Sequence, residues 1–240
     1  MFGFGKNKKT EAENAPLRPA QASVKDLLKD DLEEEIRGVE GPYDESDGVL
    51  RDLLDPDGKG VGIADFGAYA FAAPADAQIQ IETTEDGLFD CHILVDSGRI
   101  TMSAYAAPKS GGQWRLVASE LAEGLRDQGA RVSIQDGPWG REVVGKAPQS
   151  VIRFIGTDGS RWMLRSVAVS APEHADEIAV IARDIFSNTM VRRGRDPMPA
   201  RTPIALELPA DVQKQVQAAQ QEAWEQQRIE MARQRLQENS

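Results

Sequence analysis

The sequence predicts an α+β protein: an antiparallel β-meander sheet flanked by helices. Three observations carry this reading. Seven runs alternate apolar and polar residues at the period of a strand. Short turn signals rather than long crossovers separate most of them, which suits antiparallel neighbours. Two stretches switch to helical spacing, one between the strand groups and one after them.

The first meander is "AQIQIETT", "LFDCHILV" and "RITMSAYA", joined by "EDG" and "DSG". Phe89, Cys91, Ile93 and Val95 put its apolar residues on one face. In "SGGQWRLVASELAEGLRDQGA", Ser110 and Gln113 have capping-box spacing, and Trp114, Val117, Ala118, Leu121 and Leu125 form one stripe. Gly129 supplies the stop.

The second meander is "RVSIQ", "REVVG", "SVIRFIG" and "RWMLRSVAVS", with turns at "DGPWG", "KAPQ" and "TDGS". Pro138 suits the second position of the first turn, Gly140 can take positive φ, and Trp139 can cap an open sheet edge. A two-residue turn at Asp158-Gly159 would set Ile155 opposite Trp162 and Arg153 opposite Leu164. Arg153, Ile155, Trp162 and Leu164 then share one face, and Ile152, Phe154, Arg161, Met163 and Arg165 the other. Arg153 would lie diagonal to the Trp162 ring. Pro172 opens a helix with Ile178, Ile181, Ala182 and Ile185 inward, and the proline-rich "RTPIALELP" closes the body as an extended strand.

Three regions follow. Residues 1–57 form a disordered N-terminus and an acidic arm, residues 58–209 a single α+β domain, and residues 210–240 a Gln-rich helix. Within the arm, Val24, Leu27, Leu28, Leu32 and Ile36 fall at helical spacing after Ser23. The tail has no sustained heptad, so a long coiled coil is not expected.

The net charge of −11 opposes non-specific contact with phosphate backbones. It is unevenly spread: residues 25–57 hold thirteen acidic and four basic groups, leaving the body and tail close to neutral. A single cysteine, Cys91, permits no intramolecular disulfide and reads as a buried thiol in a reducing, cytoplasmic protein. No apolar run is long enough to cross a bilayer.

Catalytic chemistry finds no support in this pattern. The two histidines, His92 and His174, have no metal-ligand spacing, and no serine elbow or Cys-His signature occurs. No cofactor or metal is expected. The expectation is a non-enzymatic interaction module for a protein partner, presenting Trp139, Arg161, Arg165 and Trp224. The alternative is a small-anion or nucleotide-binding protein. The free amides of Gly111 and Gly112 at a helix N-terminus would then hold the anion beside Lys109 and Arg141.

The motifs "GPYD", "SGGQW", "DGPWGREVV", "VIRFIGTDGSRWMLR" and "RTPIALELP", in this order, resemble an uncharacterised actinobacterial domain-of-unknown-function family over residues 41–209. That resemblance implies a cytoplasmic protein and transfers no activity, cofactor or catalytic residue. The order of elements is also similar to the Mog1/PsbP-like α/β/α sandwich, whose members commonly act as binding or assembly modules.

Overall fold

The computed structural model describes residues 41–55, 62–84, 86–208, 212–214, 218, 225 and 228. Its centre is a seven-stranded antiparallel sheet built from the two expected meanders. β4 (Gln78–Thr83), β5 (Phe89–Val95) and β6 (Gly98–Ala106) form the first. β7 (Arg131–Gly137), β8 (Gly140–Ala147), β9 (Ser150–Asp158) and β10 (Trp162–Ser170) form the second. The meanders join through β6 and β10, giving the order β4-β5-β6-β10-β9-β8-β7.

Alternation decides which residues meet which layer. On one face, Cys91, Ile93, Ile100, Met102, Ile155, Trp162 and Leu164 pack against helix α3 (Ala175–Ser187). The inward stripe of α3 is the expected one, with Ile178, Ile181, Ala182 and Ile185 all buried. Each buried isoleucine contributes about 1.5–3 kcal/mol of transfer free energy. On the other face, Phe154, Met163 and Val143 pack under Trp114, Ala118 and Ala122 of helix α2 (Gln113–Asp127). The protein is thus a mixed α+β fold, an antiparallel sheet between helices.

A second sheet was not foreseen. β2 (Ile63–Asp65), β3 (Tyr69–Ala72) and β11 (Thr189–Val191) pair antiparallel, and β1 (Tyr43–Asp44) joins β11 in parallel. With two to four residues each, these strands are too short for alternation to register. Tyr43 and Leu54, the latter in the short helix α1 (Leu50–Leu54), are buried against Met190. Residues 41–55, expected in the arm, therefore pack on the body. The proline-rich closing segment contributes a single bridge, Tyr105 with Pro203, and backbone bonds to Ala104, Ala106 and Phe66 instead of a regular strand.

The β9–β10 hairpin departs from its expected register. Leu164 lies opposite Thr157 and Ala168 opposite Arg153, so each partner moves by four residues. The shift is even, so the strand residues keep their expected faces, while Arg161, expected beside Phe154 and Met163, falls in the connection. Three residues, 159–161, connect the strands, and the left-handed one is Arg161 (φ 67°), not Gly159. Gly159 is needed for a different reason: a Cβ there would lie 2.1 Å from the Trp162 ring. Arg153 does not rest on Trp162. It crosses to the buried Glu142 and to Gln135.

The expected capping box is also absent. The N-cap of α2 is Gly112, without a side-chain bond from its own segment, and Gln113 is buried with its amide donating to the carbonyl of Ala106. Pro172 opens a 3₁₀ turn (Pro172–His174) that leads into α3. In the β7–β8 turn, Gly140 takes φ 113° as expected. Of the tail, residues 212–214, 218, 225 and 228 are helical, and Val212 packs against the main core. The helix expected after Ser23 and the residue Trp224 lie outside the described residues.

Candidate functional site

The end of the molecule built from the α2 N-terminus and the β7–β8 and β9–β10 turns collects most of the residues singled out in the sequence. Its hub is Asp158, the last residue of β9. One carboxylate oxygen accepts the amide of Gly112 at 2.9 Å, and both accept that of Trp114, at 3.1 and 3.2 Å. The helix amides expected to hold a foreign anion are thus met by a carboxylate of the same chain. This corrects the anion-binding expectation for Gly112. Gly111 turns its amide back to the carbonyl of Pro108. The positive end of the helix dipole, which would attract a phosphate, already faces a negative charge.

Trp114 anchors the same junction. Its indole N–H donates to the carbonyl of Arg141, and its ring lies where a Cβ on Gly156 would stand. Trp139 is half-buried rather than displayed. Its ring packs 4.8 Å from Phe186 in α3, and its N–H donates to the carbonyl of Gly41 at 2.6 Å. The sheet-edge role expected for it becomes a latch between the β7–β8 turn and the N-terminal strand. Close to Gly41 in the chain, Asp44 accepts the N–H of the buried Trp162 indole at 2.7 Å.

Two clefts open beside this junction. The first, about 410 Å³, is walled by Trp114 and Trp139 and edged by Arg115 and Arg141, both exposed. The second, also about 410 Å³, is lined by Lys109, Arg161, Arg193 and the turn through Pro197. Among the described residues, none of these five cations lies within ion-pair distance of a carboxylate. A larger cleft of about 630 Å³ carries both signs of charge: Arg192 is bound twice to Asp65, and Glu45, Glu207 and Arg193 also line it.

The structure separates the expected arginine pair. Arg161 sits in the hairpin connection, exposed, with its guanidinium donating to the carbonyl of Gly194 at 3.5 Å and its charge acting on Asp44. Arg165 lies in β10, half-buried, with its guanidinium 5.0 Å above the Tyr105 ring on the α2 side of the sheet. They do not form a two-pronged clamp. Arg161 instead joins Lys109, which the sequence had assigned to a different ligand.

Sequence reasoning missed Arg115, Arg193 and the capping role of Asp158. A signal existed only for Arg193, inside the basic run "VRRGR". It also missed a buried ionic triad. Glu142, 1% exposed, receives Arg153 from β9 and two bonds from Arg183 of α3, at 2.9 and 2.8 Å.

Burial pushes the Cys91 thiol up to about 12, with a bond to Tyr69 partly opposing it. Burial likewise pushes the Tyr69 phenol well above its usual range while its hydroxyl donates to the carbonyl of Met102. Burial raises Asp44 as well, but bonds from Ser46 and Trp162 and the charge of Arg161 outweigh it and hold the carboxyl below its ordinary value. His92 meets Thr101 and Glu82, and His174 meets Glu177. Among the described residues, no three His, Cys, Asp or Glu side chains cluster to hold a metal ion. No described helix is long and apolar enough to cross a membrane.

Residues 41–215 match the family described as protein of unknown function (DUF3710), and the chain belongs to that family. The chain matches no curated protein. Among solved structures it is similar to the solution structure of cyanobacterial PsbP (CyanoP) from Synechocystis sp. PCC 6803. That match has 13% identity, covers 55% of this chain and 95% of that one, and has a TM-score of 0.38. A crystal structure from Bacteroides thetaiotaomicron VPI-5482 has 13% identity, covering 62% and 53%, with a TM-score of 0.35. LpqN of Mycobacterium tuberculosis, described as involved in cell envelope biogenesis, has 11% identity, covering 63% and 99%, with a TM-score of 0.27.

Proposed function

We propose that this family member is a non-catalytic interaction module whose partner-binding end is the cationic and aromatic junction around the α2 N-terminus. The partner would be a protein segment that combines acidic and apolar side chains. The observation that supports this is the set Lys109, Arg115, Arg141, Arg161 and Arg193, lining two clefts alongside Asp158 and Asp196 but with no described carboxylate within ion-pair distance, in a chain of net charge −11. Two indole walls supply apolar contact, and exposed guanidinium groups supply planar, bidentate recognition of carboxylates. Nucleic acid would meet this local charge too, but the rest of the chain repels it.

Nuclear magnetic resonance of the full chain tests the reading with a defined probe, a synthetic peptide repeating Glu-Glu-Leu. It should shift the Arg115 and Arg141 amides and the Trp139 indole, whereas a Lys-Lys-Leu peptide should not. Arg115→Glu with Arg141→Glu should abolish the response and leave the melting temperature within a degree or two, as expected of exposed positions. Equal response to both peptides, or shifts confined to other surfaces, would remove the proposal.

A further inference from the structure

We propose that this protein pairs with a second copy of itself through β4, joining the two seven-stranded sheets edge to edge about a two-fold axis. The inference does not depend on the partner-binding reading, because β4 lies at the edge of the sheet opposite β7.

The first observation is an edge left open. β4 is the last strand of its sheet, and its ladder with β5 runs unbroken from Gln78 opposite Leu94 to Thr83 opposite Phe89. Exposed edges are ordinarily blunted by a bulge, a proline or several charges. "QIQIET" has none of these beyond Glu82, and Gln78, Ile79, Gln80 and Glu82 are all exposed. Ile79 leaves 40% of its surface to solvent.

The second is the direction of the backbone groups. The amide of Thr84 donates to the carbonyl of Leu88 at 2.8 Å, in the same register as the ladder. Bonding alternates along an antiparallel pair, so Gln78, Gln80 and Glu82 turn their backbone groups to β5. Ile79, Ile81 and Thr83 therefore turn theirs outward. Among the described residues, no hydrogen bond reaches those groups.

The third names the occupant. A two-fold axis normal to the sheet and passing beside Gln80 keeps each face of the sheet on its own side. It sets Ile79 opposite the second copy's Ile81, Gln78 opposite its Glu82, and Gln80 opposite its Gln80. The Ile79–Ile81 pairs are the ones whose backbone groups point outward, so they exchange hydrogen bonds in the pattern an antiparallel ladder requires. On the α3 side, where Ile81 packs against the core, the two copies then share paired isoleucines. On the other side each Gln78 amide can donate to a Glu82 carboxylate, and no like charges are opposed. The strand is complementary to itself in side chains and backbone at once.

The other open edge fits a second copy less well. β7 carries Arg131 and Asp136, and its Gln135 already accepts a bond from Arg153. Paired along its full length about Ile134, it would set Val132 against the second copy's Asp136. A pair formed through β4 leaves β7 and the β7–β8 turn free. It would hold the two β8 strands roughly 50 Å apart at strand spacing. The dimer would thus present the aromatic cleft twice, at its two outer ends.

A six-residue strand pair is a small interface, below the roughly 1,200 Å² of standard ones, so the dimer should exchange with monomer. Sedimentation of the full chain tests this. The mass should rise from monomer to dimer between about 1 μM and 1 mM. Ile79→Lys should weaken association at least about tenfold and leave the melting temperature within a degree or two, as expected of an exposed position. Ile134→Lys, on β7, should leave association unchanged.

Cysteine variants read the register. Residues at a directly opposed, non-bonded position lie about 4.5 Å apart between Cα atoms, within disulfide reach. Gln80→Cys should therefore oxidise to a covalent dimer. Gln78→Cys and Glu82→Cys should each stay uncrosslinked alone and crosslink when mixed. Cys91 is fully buried with a raised thiol and does not compete. Monomer at every concentration overturns the inference. So does a dimer lost in Ile134→Lys but kept in Ile79→Lys, or a disulfide formed as readily by Gln78→Cys alone as by Gln80→Cys.

Discussion

The carboxylate of Asp158, at the tip of β9, bonds through both oxygens to the backbone amide of Trp114 in the first turn of α2, forty-four residues earlier in the chain. The cap of that helix thus comes from the last hairpin of the second meander. Asp158→Ala should cost about 1–2 kcal/mol in urea denaturation, the ordinary value of an N-cap. Asp158→Asn should retain most of it, because an amide oxygen still accepts. Once the cap is removed, added phosphate should raise the melting temperature of Asp158→Ala more than that of the wild type, by mass action on the vacated amides. Equal phosphate response in the two proteins would show that these amides do not bind anions even when free.

The hairpin turn separates two reasons for having glycine. Gly159→Ala should destabilise by about 1–3 kcal/mol, the range of an overpacked site, because its Cβ would collide with the buried Trp162 ring. Arg161→Gly should be neutral to stabilising by up to about 1 kcal/mol, since relief of the left-handed arginine offsets the added chain entropy. Thermal melts of both variants check this. The opposite ranking would restore the two-residue turn.

The triad at Glu142 is a buried charge held by two guanidinium groups. Glu142→Ala should lose about 3–5 kcal/mol, because two arginines are left close together without their anion. Gln135→Ala removes only an accessory acceptor of Arg153 and should cost about 0.5–1.5 kcal/mol. Denaturant titration of the two variants makes the comparison.

Asp44 ties the N-terminal strand to the hairpin through Trp162, and its carboxyl is held below its ordinary value. A depressed folded pKa means the unfolded chain takes up the proton first as pH falls. The stabilisation is therefore present at neutral pH, and it fades as pH drops from the unfolded value, near 3.8, through the lower folded value. Asp44→Asn should melt below the wild type at pH 7, and the gap should close below about pH 4. Melting curves across that range measure it; a gap that widens in acid would contradict the assignment.

How much of this was legible beforehand depends on the range of the interaction involved. Alternation in "FDCHILV", "VIRFIG" and "WMLR" and the stripe in "EIAVIARDI" are local patterns, and they alone determined seven strands, the inward faces and the helix that covers them. Even the register error preserved which face Trp162 and Met163 occupy, because strand side chains repeat every two residues. Only the tertiary structure decided the rest. Strands of two to four residues carry no period, so Tyr43–Asp44 found its place by pairing with a strand near the other end of the body. Asp158 read as a turn former because nothing near it in the sequence marks the helix it caps. Trp139 and Arg161 were visible as residues, but whether each faces a partner or a neighbour depends on Gly41, Phe186 and Lys109, brought beside them only when the sheet closes on its helices.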